Sequence, residues 1–158
     1  MDILPADPPW IVFAAHELGV AQWPAGQSNP RITEYHGGTN IRGYDDKASW
    51  CSSFVNWCLS QAGLVGTNSA LARSWLDWGV PLQEPVRGCI AVLYRDDPSS
   101  WKGHVGFFLR QDADSVYLLG GNQLGEVREH FYPKAAMLGF RLPALWASDM
   151  ATDRSDLA

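Results

Sequence analysis

The stretch from Trp50 to Gly63, WCSSFVNWCLSQAG, constrains the fold of this chain more than any other segment. Its apolar or small side chains recur at helical spacing, which predicts a helix with one buried face. They are Phe54, Val55, Cys58, Leu59 and Ala62. Gly63 follows as the predicted C-cap. Cys51 then falls in the first turn, where unpaired backbone N–H groups and the helix dipole favour a thiolate over a thiol.

Helical periodicity also occurs at residues 9–19, and a third helix is predicted between Asn68 and Gly79. Between the first two helices, residues 22–49 are rich in Pro and Gly, so we predict an irregular loop there with an ordered segment from Asn29 to His36. Loops of this length are often functional.

Beyond residue 88 the hydrophobic period changes from helical to alternating, which indicates strands. Strands are predicted at 88–95, 103–110, 115–121 and 139–143, with a weaker one at 126–130. Because the helices precede the strands, we predict an α+β fold with N-terminal helices packed on a C-terminal antiparallel sheet of about four to six strands. One domain is expected over residues 1–146, with a flexible, small and polar tail at 147–158.

Composition excludes several functions. The formal net charge is −5 and no Lys/Arg cluster is present, so nucleic acid is not an expected partner. No apolar run approaches the ~20 residues of a membrane span. The first ten residues lack a basic start and an apolar stretch, so we expect synthesis in the cytoplasm without a signal peptide. Three cysteines without a CxxC or HExxH motif predict no metal site, and no cofactor is expected.

A base for Cys51 is predicted at His104, one of four histidines. His104 begins an otherwise apolar strand, between Gly103 and Gly106, and such a position lies at a sheet end where a side chain can face a cleft. The tight turn after this strand places His104 opposite position 121 or 122 of the next one. Asn122 is therefore the predicted partner of the His104 ring, and Gln123 is the alternative, because a one-residue slip reverses the face.

These residues form a nucleophile, base and orienting group of the Cys-His-Asn kind. Backbone N–H groups at the helix start would hold an oxyanion, so Trp50 and Ser52 are secondary site residues beside Cys51. Cys58 and Cys89 are expected to serve in core packing.

A substrate groove is predicted from residues near the Cys51 helix and from the abundant tryptophans. The chain has eight Trp, which either pack in the core or line a groove for a sugar or peptide. Asp46, Trp75 and Trp101 are the groove candidates, and Asp46 is alternatively a cap of the Cys51 helix.

Four segments together resemble a known family: WCSSFVNWC, GCIAVLY, GHVGFF and LLGGNQ. Over roughly residues 8–143 the chain is similar to the CHAP and NlpC-type branch of the papain-like cysteine peptidases. The resemblance puts the family's nucleophile on Cys51, its base on His104 and its polar third residue on Asn122. Cys89 departs from the Asp common at that position, and Gly120 stands where some members carry an acidic residue.

The resemblance implies a papain-like catalytic domain that hydrolyses an amide of bacterial peptidoglycan through a thioester. The activity would be an N-acetylmuramoyl-L-alanine amidase or a stem-peptide endopeptidase. The setting would be a phage lysin or a secreted antibacterial effector, which acts in the periplasm or cell wall after lysis or non-classical export. An immunity protein or a secretion-system component is then an expected partner. The alternatives are a papain-like acyltransferase or deamidase, and a non-catalytic module that binds cell wall or protein.

Overall fold

The computed structural model describes residues 1–147. Three helices and a 3-10 helix precede a six-stranded sheet. The helices are α1 (Pro9–His16), α2 (Pro30–His36), α3 (Cys51–Gln61) and the 3-10 helix Ala72–Asp77. The strands are β1 (Val80–Leu82), β2 (Ile90–Tyr94), β3 (Gly103–Gln111), β4 (Ser115–Gln123), β5 (Glu126–Pro133) and β6 (Met137–Leu142). None of the helices in residues 1–147 has the length and apolar character needed to cross a bilayer.

The sheet is antiparallel throughout, with the strand order β1-β6-β2-β3-β4-β5. Helix α3 packs on β3 and β4, and α1 contacts β4, so the predicted α+β architecture is confirmed. Sequence patterns did not reveal β1, because three residues that include Pro81 are too few to show alternation. This strand pairs only with β6 at the sheet edge, where a proline is tolerated.

Helix α2 lies inside the segment that was predicted as an irregular loop. Pro30 starts it, and the Asn29 side chain caps it by accepting a hydrogen bond from the Arg31 N–H at 3.0 Å. Seven residues are too few to display helical periodicity. The buried His36 at its end lies 2.7 Å from the Ser53 hydroxyl and ties α2 to α3.

Helix α3 packs across β3 and β4 through the predicted apolar stripe, whose members Phe54, Val55, Cys58 and Leu59 are fully buried. The Phe54 ring meets Phe107 of β3 edge-on with centroids 6.5 Å apart. Burial raises the pKa of the Cys58 thiol, and that of Cys89 to about 12, so both stay protonated at neutral pH.

The two ends of the described chain meet beside α1. The Trp10 indole N–H donates to the Gly88 carbonyl at 2.7 Å, and the Trp146 ring packs edge-on against Trp10 with centroids 5.2 Å apart. The tail predicted for residues 147–158 lies, apart from Ala147, outside the described residues. The domain boundary at 146 therefore stays a prediction.

Candidate active site

Cys51 is the first residue of α3 and is only 2% exposed. Trp50 occupies the N-cap position, and no side chain of the described residues 1–147 caps this helix end. The first-turn N–H groups beside Cys51 are therefore not taken up by a capping side chain of residues 1–147. The Val105 backbone and the Ser49 side chain lie near the Cys51 sulfur, and both lower the pKa of its thiol.

His104 of β3 lies close enough to Cys51 for each side chain to shift the pKa of the other. Burial on its own would raise the pKa of the Cys51 thiol, but the charge of His104 and the hydrogen bonds to the sulfur outweigh it and lower that pKa. Burial on its own would likewise lower the pKa of His104, but the Cys51 thiolate and a hydrogen bond to Gln123 raise it. The pKa of Cys51 is lowered and that of His104 is raised, so the pair favours a thiolate on Cys51 and an imidazolium on His104.

Gln123 holds the His104 ring, and Asn122 does not. The Gln123 amide oxygen lies 2.9 Å from His104 Nε2. Its amide nitrogen donates to the Leu118 and Arg128 carbonyls at 3.2 Å and 2.6 Å, which fixes the orientation of the amide. The oxygen must then accept from Nε2–H, so Nδ1 is the ring nitrogen left for Cys51. The predicted contact between His104 and Asn122 is wrong, and Gln123, the predicted alternative, makes that contact.

The backbone of β4 explains why Gln123, and not Asn122, contacts His104. Phe107 pairs with Leu119 in the β3–β4 ladder, a register that would bring position 122 level with His104. However, Asn122 has a φ of 56° and β4 is irregular against β5 between Gly120 and Gln123. The Gln123 side chain folds back over Gly120, where an added Cβ would lie 2.6 Å from its oxygen.

Trp50 and Ser52 flank Cys51, but their side chains point into the core. The Trp50 ring is fully buried and stacks on Tyr35 with centroids 5.9 Å apart. Its indole N–H has no hydrogen-bond partner within residues 1–147. The Ser52 hydroxyl donates to the Ser69 carbonyl at 2.6 Å and accepts from the Trp75 indole at 2.9 Å. Of the site role predicted for Trp50 and Ser52, only a contribution of their backbone groups at the helix start remains.

Two of the three groove predictions are corrected by the structure. The Asp46 carboxylate is fully buried, accepts from the Trp23 and Asn29 N–H groups at 2.8 Å each, and pairs with Lys47. It braces the loop before α3 and neither caps the helix nor lines a groove. Trp75 is also fully buried and packs under α3.

Trp101 does line a cavity, and it is 70% exposed. This cavity of about 450 Å³, here called the Cys51 cavity, is bordered by Cys51, Tyr44, Leu71 and Arg95 as well. A second cavity of about 530 Å³, here called the His104 cavity, lies beside the base. Its lining includes His104, Asn122, Gln123, Tyr132 and Arg95. Cys51 and His104 thus line two different cavities, which share the side chain of Arg95.

Tyr132 is a site residue that sequence reasoning missed. Its ring lies 5.2 Å from that of His104, and burial followed by the nearby Cys51 charge raises its pKa. It comes from β5, two strands from His104 along the sheet, and only an alternating pattern extended past residue 130 would have indicated its inward position. Within residues 1–147, no group of three or more His, Cys, Asp or Glu side chains is arranged to hold a metal ion.

Comparison with known proteins identifies the family of this chain. The family model described as CHAP domain matches residues 43–122, a segment that contains Cys51, His104 and Asn122 and ends one residue before Gln123. No curated protein sequence matches the chain significantly. Among solved structures, one similar chain is from Staphylococcus aureus and is described as similar to a lipoprotein of the NLP/P60 family. It is 14% identical with a TM-score of 0.49, and the match covers 90% of this chain and 45% of that one. By the match over half its length, this chain belongs to the CHAP domain family.

Proposed function

We propose that this protein is a cysteine hydrolase that cleaves an amide bond of bacterial peptidoglycan. Its family generally comprises cysteine peptidases and amidases that act on peptidoglycan. The observation that carries the proposal is the buried Cys51–His104 pair, in which the thiol pKa is lowered and the imidazole pKa is raised at a helix start beside open cavities.

In the first half of the reaction, the Cys51 thiolate attacks the amide carbonyl carbon and a C–S bond forms. The carbonyl oxygen becomes an oxyanion, which first-turn N–H groups of α3 are oriented to stabilise. The tetrahedral intermediate then collapses and the C–N bond breaks. The leaving amine takes the proton from His104 Nδ1, and a thioester on Cys51 remains.

In the second half, His104 is neutral and removes a proton from water through Nδ1 as the water oxygen attacks the thioester carbon. The C–S bond breaks, the acyl group leaves as a carboxylic acid, and the thiolate–imidazolium pair is restored. Gln123 keeps the ring in one orientation throughout, because its oxygen accepts the Nε2–H bond in both protonation states.

The shape of the two cavities supports a peptide or sugar-peptide substrate. An amide held between Cys51 and His104 would extend one portion into each cavity. The exposed Trp101 and Tyr44 offer flat apolar surfaces at the rim of the Cys51 cavity, which suit a sugar ring or an aliphatic peptide segment.

The test is incubation of purified sacculi and muropeptides with wild type, Cys51→Ala and the matched control Cys58→Ala, followed by mass analysis. We expect product with wild type and Cys58→Ala, and none with Cys51→Ala. Cleavage by Cys51→Ala at the wild-type rate would refute the assignment. If wild type transfers an acyl group to an added amine but yields no hydrolysis product, the protein is an acyltransferase.

The same products identify the bond that is cleaved, whereas neighbouring genes identify the biological setting. A new L-alanine amino terminus with a free lactyl group indicates an amidase, whereas a new amine within the stem peptide indicates an endopeptidase. We propose that the protein acts in the periplasm or cell wall, either as a phage lysin or as a secreted antibacterial effector. A neighbouring holin gene supports the lysin, and a neighbouring immunity gene whose product inhibits cleavage supports the effector.

A further inference from the structure

Among residues 1–147, Arg95 alone lines both the Cys51 cavity and the His104 cavity. It follows directly on β2, so its position is set by the end of a central strand. A substrate that spans the two cavities must pass its side chain.

The Arg95 guanidinium makes no ion pair within residues 1–147, although it is exposed beside the site. It is close enough to the reacting groups for its charge to oppose protonation of His104 and to favour ionisation of Tyr132. Its charge is therefore directed at the site and is not neutralised by a neighbouring carboxylate.

The charge balance of the cavities is opposite to that of the whole chain. The Cys51 cavity holds one other cation and one anion, Lys102 and Asp96, whose charged atoms lie 3.5 Å apart. Arg95 is the only Arg or Lys in the His104 cavity, and no Asp or Glu of residues 1–147 lines it. A protein with a net charge of −5 thus presents an uncompensated cation where its substrate binds.

The loop that carries Arg95 is held in place. Arg73 donates to the Lys102, Pro98 and Asp97 carbonyls at 2.7, 2.8 and 3.0 Å. The Arg95 carbonyl itself accepts a hydrogen bond from the Asp97 N–H at 2.8 Å. A fixed backbone reduces the entropy lost when the guanidinium binds a ligand.

From these observations we propose that Arg95 binds a carboxylate of the substrate close to the scissile amide, and selects stem peptides in which that carboxyl is free over those in which it is amidated. The planar guanidinium matches a carboxylate with two parallel N–H···O bonds, which a carboxamide cannot accept in the same way. This inference rests on the proposed function, since it names the substrate class for that site.

The test uses two synthetic muropeptides that differ only in whether the carboxyl nearest the cleaved bond is free or amidated. Binding is measured by calorimetry to Cys51→Ala and to the double variant Cys51→Ala/Arg95→Gln. We expect the free acid to bind Cys51→Ala about 10- to 100-fold more tightly, the range for a charge-assisted hydrogen bond, and the double variant to lose this preference. Equal binding of both peptides by Cys51→Ala, a preference that survives Arg95→Gln, or binding of neither peptide overturns the inference.

Turnover separates this inference from the proposed function. In an otherwise wild-type protein, Arg95→Gln is expected to raise KM for the free acid by a similar factor with little change in kcat, and Arg95→Lys to restore part of the loss. Arg110→Gln, an exposed arginine at the far end of β3, is the matched control and should change neither constant. Selective binding without cleavage by wild type would refute the hydrolase and leave the carboxylate site standing.

Discussion

The amide oxygen of Gln123 lies 2.9 Å from Nε2 of His104, and both hydrogens of the same amide are engaged by backbone carbonyls. The backbone carbonyls therefore hold the Gln123 amide in one orientation toward the His104 ring. The position of this amide follows from a left-handed residue, Asn122, one step earlier in the chain.

Replacement of Gln123 by Ala should lower kcat about 10- to 100-fold, the size expected for one lost hydrogen bond to a charged group. The ring would keep its contact with Cys51 but lose its fixed orientation. Steady-state hydrolysis of a muropeptide measures the effect. Asn122→Gly, which suits the positive φ, is the control and should cost less than Gln123→Ala; the reverse order would return the orienting role to Asn122.

The adjacent glycines of β4 should respond differently to alanine. At Gly121 an added Cβ would lie 2.7 Å from Phe54 Cβ and 2.8 Å from the Trp50 ring, so Gly121→Ala should cost about 1–3 kcal/mol in free energy of unfolding. At Gly120 it would meet only the Gln123 side chain and not the backbone or the core, so Gly120→Ala should displace that amide and lower kcat with a smaller loss of stability. Urea unfolding and hydrolysis rates of the two variants test the contrast. Equal stability losses would contradict it.

The pH dependence follows from the opposite shifts of Cys51 and His104. A free cysteine ionises with a pKa of about 8.5. Because the pKa of Cys51 is lowered, its alkylation by iodoacetamide should stay fast below that pH and decline only as the pH falls through the lowered value. Because the pKa of His104 is raised above its usual ~6.5, hydrolysis should persist above that pH and decline as the imidazolium deprotonates.

Cys51→Ala is the control for alkylation, since burial raises the pKa of the other two thiols, Cys58 and Cys89. Rapid modification of this variant at neutral pH would show that another cysteine reacts. A wild-type alkylation rate that rises only near pH 8.5 would contradict the thiolate–imidazolium pair of Cys51 and His104.

Ser52→Ala should affect stability and leave the chemistry intact. The Ser52 hydroxyl satisfies the buried Trp75 indole N–H and the Ser69 carbonyl, so its removal should cost about 1–3 kcal/mol in free energy of unfolding. The kcat of the folded fraction should change little, because this hydroxyl faces away from Cys51. Denaturant unfolding with active-site titration separates the two effects. A large fall in kcat at unchanged stability would instead make Ser52 a catalytic contributor.

What could be predicted from sequence was local. A cysteine at the front of an apolar 3.6-residue pattern marks a helix N-terminus, and a histidine between glycines at the front of an alternating segment marks a strand end. Both patterns are read from neighbouring residues, so Cys51 and His104 could be placed on their elements, and the helices-then-strands order indicated the α+β fold. Helix α2 and strand β1 were missed because they are too short to display a period.

Tertiary structure alone decided which residues surround the pair. Because Asn122 has a left-handed backbone conformation, Gln123 and not Asn122 contacts His104. An alternating hydrophobic pattern does not indicate such a change of backbone conformation. Asp46 and Trp75 resembled groove residues, but both are fully buried and hydrogen-bond to Trp23, Asn29 and Ser52, which lie 17 to 23 residues away in sequence. Arg95 and Tyr132 reach the site only through strand pairing. The sequence by itself determined the elements on which Cys51 and His104 lie, whereas the partner of the His104 ring and the cavity walls depend on contacts between distant segments.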